Sequence, residues 1–109
     1  MVNTGLRAPA RPRAAQEAAF VACATALALH TGGLTICGAV ILRLDAAMRG
    51  LSGVPPPDDA LREVWLSAQG VILARLRGDD VAFEDARHLL RCAVSVYWAG
   101  RAMDLTPGA

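Results

Sequence analysis

ALHTGGLTICGA, residues 28–39, sits inside a run from Ala18 to Leu42 that contains no Asp, Glu, Arg or Lys. The run has two readings: one apolar rod crossing a bilayer, or two helices folded back on each other. A spanning helix needs about 20 predominantly apolar residues, and the run is long enough. Its centre, however, is His30-Thr31-Gly32-Gly33, an imidazole, a hydroxyl and loosened backbone where hydrocarbon supplies no hydrogen-bond partner. The first half is mostly Ala, which partitions into lipid less readily than Leu or Ile. Arginine flanks both ends, with Arg7, Arg11 and Arg13 before and Arg43 and Arg49 after, so the charge asymmetry that orients a span is weak. Each glycine costs roughly 1 kcal/mol in a helix interior relative to Ala, and Gly is the preferred C-terminal stop. Residues 31–33 are therefore read as the turn of a helical hairpin.

Upstream of that turn, residues 14–30 form an uninterrupted Ala-rich helix, with Gln16 and Glu17 in its first turn, where acid complements the macrodipole. Residues 1–13 (MVNTGLRAPARPR) are punctuated by Pro and Arg and read as a flexible basic tail. Downstream, Ile36, Val40, Leu44 and Ala47/Met48 recur at helical spacing. They give a second helix over 34–49, with Asp45 four residues before Arg49 on its solvent side and Gly50 closing it.

LSGVPPP, residues 51–57, breaks the chain, because three prolines cannot enter a helix interior. Asp58 and Asp59 supply cap and first-turn acid for a third helix over 58–77. Its core stripe is Leu61, Val64, Trp65, Ala68, Val71/Ile72 and Leu76. Gly78 ends it and Asp79-Asp80 opens a fourth helix over 80–103, whose apolar face is Phe83, Ala86, Leu90, Ala93, Val94 and Tyr97. Residues 106–109 are a short C-terminal tail. Short turns force antiparallel neighbours, so the expected fold is all-α, four helices as two antiparallel αα-hairpins packed into a small bundle over 14–105.

The chain has 109 residues and a formal net charge of +1, enough for one core and too little charge to draw it to nucleic acid or an anionic membrane. All 11 basic residues are Arg, which together with the abundant Ala suggests a GC-rich bacterial gene. Cys23, Cys37 and Cys92 are odd in number and form no CxxC pair, and no apolar export signal precedes them. They read as reduced, buried thiols in a cytoplasm.

Catalytic signatures are thin. Asp85, His88 and Cys92 are spaced three and four apart and share a helix face, with Glu84 one turn from His88. A di-metal bundle needs two Glu-x-x-His copies and two more Glu; here one imperfect copy stands alone, with Glu17, Asp45 and Glu63 on other helices. Glu84, Asp85, Arg87, His88 and Arg91 are better read as a solvated face. Cys23, His30 and Cys37 are spaced by seven, but the glycine break spoils their alignment and a fourth zinc ligand is missing. There is no Gly-x-Ser-x-Gly and no phosphate-binding glycine loop. No catalytic residue, cofactor or metal is expected.

Interaction surfaces are better represented. Leu66 and Leu73 are seven apart and about 100° off the third helix's stripe, a leftover apolar strip that on a small bundle points to a second copy. Trp98 and Tyr97 fall at the edge of the fourth helix beside Arg87, Arg91 and Arg101, the residue types most enriched at binding hot spots. The expected function is thus a non-catalytic, self-associating helical interaction module, a bacterial regulatory or assembly factor with an unknown protein partner. The alternative is a DNA-binding transcriptional regulator using Arg87, Arg91 and Arg101, opposed by the acidic start of the fourth helix. A metal- or thiol-dependent enzyme and a small membrane protein have less support.

Overall fold

The computed structural model describes residues 13–33, 37–51, 56 and 58–105, and over them the chain is helical without a strand. The elements are α1 (Arg13–Leu29), α2 (Gly38–Gly50), α3 (Asp59–Arg77) and α4 (Asp80–Leu105). Of the expected tails, residues 1–12 and 106–109 lie outside the described residues, and Arg13, assigned to the N-terminal tail, is instead the first residue of α1. Among the described residues no helix is long and apolar enough to cross a membrane; the uncharged run is divided between α1 and α2, which pack against each other.

α1 begins at Arg13, which puts Glu17 in the second turn, where it accepts from Arg13 Nε at 3.0 Å instead of acting on the dipole. The turn after α1 needs glycine at Gly32, whose φ of 115° lies in the region that side chains rarely enter. α2 starts later than its apolar spacing suggests: Cys37 is still a turn residue, bonded through its N–H to Gly33 O at 3.0 Å. Ile36 lies outside the described residues. The buried face of α2 is Ile41, Leu44 and Met48, with Val40 and Ala47 half-buried, so the helix is rotated from the expected stripe toward Ile41. The Asp45–Arg49 pair forms at 2.9 Å.

α3 follows its local signals. Asp58 Oδ2 accepts from Leu61 N at 2.8 Å, and Gly78 caps the C-terminus in the left-handed conformation at φ 67°. Leu61, Val64, Trp65, Ala68 and Val71 are buried as expected. Leu76 is not: it is 77% exposed, whereas Ala74, about 200° away round the helix, is buried. Leu76 continues the line of Trp65, Gln69 and Ile72, the side of α3 that borders the groove left by α2. Asp79 Oδ1 then accepts from Ala82 N at 3.0 Å, capping α4.

The two hairpins close into one core. Phe20 and Trp65 meet with ring centroids 5.6 Å apart at its centre, with Leu27, Ile41, Leu44, Leu51, Phe83 and Leu90 around them. α3 and α4 pack along their length, α1 packs on α2 and α4, and α2 only grazes α3. The bundle is therefore shut on three sides and parted on the fourth.

Candidate functional site

The residues expected to form one arginine-rich edge divide into separate jobs. Arg87 points inward and is 7% exposed, against its reading as part of a solvated face or a docking edge. Its Nη1 donates to His30 O at 3.0 Å and to Gly32 O at 2.8 Å, while Nη2 donates to both carboxylate oxygens of Glu84 at 2.7 and 2.9 Å. The guanidinium also lies 5.1 Å from the Phe83 ring centroid and donates to Cys37 Sγ at 3.6 Å. A glycine turn exposes carbonyls that its own helix cannot satisfy. A planar cation with several donors meets them while an adjacent carboxylate balances its charge. Arg87 is the bolt that holds the α1–α2 turn to α4.

Arg91 is exposed but also looks to α1, donating from Nε to Ala28 O at 3.2 Å. Trp98 is half-exposed at the α1–α4 seam, with Nε1 donating to Thr25 Oγ1 at 3.0 Å and its ring edge-on to Tyr97 at 5.2 Å. Arg101 lies over Tyr97 at 5.7 Å and not over Trp98. The expected cluster thus comes together as an aromatic corner of Tyr97, Trp98 and Arg101, without Arg87.

The thiols and histidines also sort differently from expectation. Cys37 is buried, Cys23 half-buried and Cys92 exposed, and none is in a disulfide. His30 Nδ1 sits 3.5 Å from Cys37 Sγ, because the turn that breaks the helical alignment folds them together. On α4, His88 Nε2 is 3.9 Å from Cys92 Sγ, one turn apart on the outside of the helix. Among the described residues no three metal-ligating side chains of this chain converge.

Two apolar surfaces stand out among the described residues. Between the parted α2 and α3 lies an open groove of about 500 Å³, walled by Met48, Ile72, Leu73 and Trp65 and rimmed by Gln69 and the Asp45–Arg49 pair. The second lies on the outer side of the α3–α4 hairpin. Leu66, Leu73, Leu89 and Val96 stand 49%, 51%, 59% and 64% exposed. Ala60, Glu63, Ser67, Cys92 and Ala93 line the shallow groove between Leu66 on one helix and Leu89 and Val96 on the other. Leu66 and Leu73 thus occupy the exposed ridge they were assigned. Leu89 and Val96 complete the surface and were missed, although their own seven-residue spacing is legible in the sequence. No family model matches the chain, and no curated protein or solved structure resembles it.

Proposed function

We propose that this chain is a non-catalytic helical interaction module that joins a second copy of itself through the outer face of α3 and α4, and through that assembly serves a protein partner as a regulatory or assembly factor. The observation that carries the reading is the groove bordered by Leu66, Leu89 and Val96, with Leu73 two turns along α3 from Leu66: four large apolar side chains on one hairpin left about half or more open to water. Contiguous apolar patches of this kind on a small domain mark association surfaces. Size agrees. A helix of 19 residues is about 28 Å long, and two helices abreast are roughly 18–20 Å wide. The face is then about 500 Å² per copy, or about 1,000 Å² in a pair, the lower bound of a specific interface.

The Tyr97–Trp98 corner, tied to α1 through Thr25, is the surface left for a different partner. The DNA reading has no comparable support, since Arg87 and Arg91 are occupied by backbone carbonyls. Composition sets the context: a basic complement made only of Arg, with much Ala, fits a bacterial gene, and free thiols fit a cytoplasm.

The test is the mass in solution. Light scattering at high micromolar concentration is expected to give a dimer for the natural chain and a monomer for Leu66→Glu and Leu89→Glu. Both variants should keep full helical circular dichroism, because neither side chain is in the core. A natural chain that stays monomeric rejects the reading.

A further inference from the structure

Cys92 is an exposed free cysteine on a small helical domain, although free Cys is among the most buried residue types. Its thiol is 3.9 Å from the His88 imidazole. In a tetrahedral zinc site, Zn–S of about 2.3 Å and Zn–N of about 2.0–2.1 Å put a sulfur and a nitrogen ligand roughly 3.5 Å apart. The pair therefore already has nearly the separation of one tetrahedral edge, and it lacks two ligands.

The missing ligands are supplied by the symmetry of α4 itself. Val81, Asp85, His88, Cys92, Ser95 and Ala99 recur at intervals of four, three, four, three and four, and all six are exposed. That interval is the seam of a helix that packs against another helix. The stripe is also palindromic about Leu90. Two α4 helices crossing antiparallel at that level bring Val81 against Ala99, Asp85 against Ser95, and each His88 against the other copy's Cys92. Apolar meets apolar, a carboxylate meets a hydroxyl, and both His/Cys pairs gather at the two-fold axis. A parallel pairing would instead set Asp85 on Asp85 and Glu84 beside Glu84, repelling along the acidic start of the helix. The stripe adjoins Leu89 and Val96, so the crossing belongs to the same face as the patch described above.

From this we propose that the module self-associates around a shared divalent transition ion, zinc by ligand chemistry, held by His88 and Cys92 of two copies. The inference rests on the self-association reading and adds its metal dependence. Two imidazoles and two thiolates are a closed tetrahedral set without an open position, which suits a structural ion and not a catalytic one. Binding releases the two thiol protons to water, and the neutral imidazoles bring no proton to lose. Each half-site alone is too poor to hold the ion, so zinc and the second copy reinforce each other's binding.

The experiment uses the full chain, reduced and stripped of metal, with zinc chloride added under sedimentation velocity and zinc bound per chain measured on the dimer peak. Expected are one zinc per pair of chains and a dimer tightened by at least about 10-fold. Cobalt(II) in place of zinc should give the visible bands of a tetrahedral thiolate site. Cys92→Ser and His88→Ala, both at exposed positions, should fold normally and lose the zinc response and the cobalt bands together. A dimer equally strong in chelator and in Cys92→Ser overturns the metal inference and leaves self-association standing. Zinc bound one per chain to a monomer also overturns it. A chain that is monomeric with and without zinc overturns both.

Discussion

Arg87 shows how far a single residue can depart from the rule for its type. Arginine is almost never fully buried unless paired, and here one guanidinium satisfies two turn carbonyls and a carboxylate while stacking on Phe83. Replacing it removes the side-chain donor that both part-buried carbonyls share. Arg87→Met keeps the packing stem and is expected to lower stability by about 1.5–3 kcal/mol, the range for hydrogen bonds to a charged group. Urea unfolding read by circular dichroism measures it. Arg87→Lys should recover little, since an ammonium cannot span the two carbonyls and Glu84 at once. Unchanged stability in Arg87→Met would mean that the turn holds itself.

At the scale of the element, short-range signals were dependable where they rested on backbone chemistry. Asp58 and Asp79 cap α3 and α4 as their side chains allow, and Gly78 ends α3 at φ 67°. A Cβ there would meet no neighbouring atom within 4 Å, so a substitution is penalised only by conformation. Gly78→Ala should therefore cost about 1–2 kcal/mol, the penalty of a left-handed residue with a Cβ. Gly78→Asn should cost less, because Asn tolerates that region. Thermal melts of the two variants, ranked Gly above Asn above Ala, check this. Helix faces were less dependable. The buried face of α2 is displaced toward Ile41, and Leu76, on the expected stripe of α3, lies in the open while Ala74 on another arc is buried. Periodicity tells how wide an apolar arc is but not where along it the neighbouring helix will press.

At the scale of the whole molecule, burial ranks the three thiols. Cys92 is exposed, Cys23 half-buried and Cys37 enclosed by His30, Gly32 and Arg87. Maleimide labelling of the folded protein at low concentration should modify Cys92 first and Cys37 only after opening of the α1–α2 turn. Arg87→Met should speed the labelling of Cys37 without touching that of Cys92. If Cys37 reacts as fast as Cys92, the turn is not packed against α4. The same packing explains why the proposed interaction surface is only half legible in the sequence. Leu66 and Leu73 announced themselves as leftovers on α3, but Leu89 and Val96 gained meaning only when α4 was laid beside them. The aromatic corner was legible as Tyr97 and Trp98; its link to Thr25 on α1, 73 residues away in sequence, was not.

What the chain's residues determined unaided was its division into parts: paired glycines turn the uncharged run back, three prolines separate the hairpins, and acids and glycines start and stop the last two helices. These are decisions of backbone geometry and local hydrogen bonding, settled within a turn or two of each residue. What only the tertiary structure decided was direction: which arc of each helix faces its neighbour, that Arg87 turns inward while Cys92 is left outside, and that α2 stands off α3. Those choices follow from how four helices share one core. A residue 100° from its sequence neighbour on the helix is covered or bared by whichever distant element arrives there.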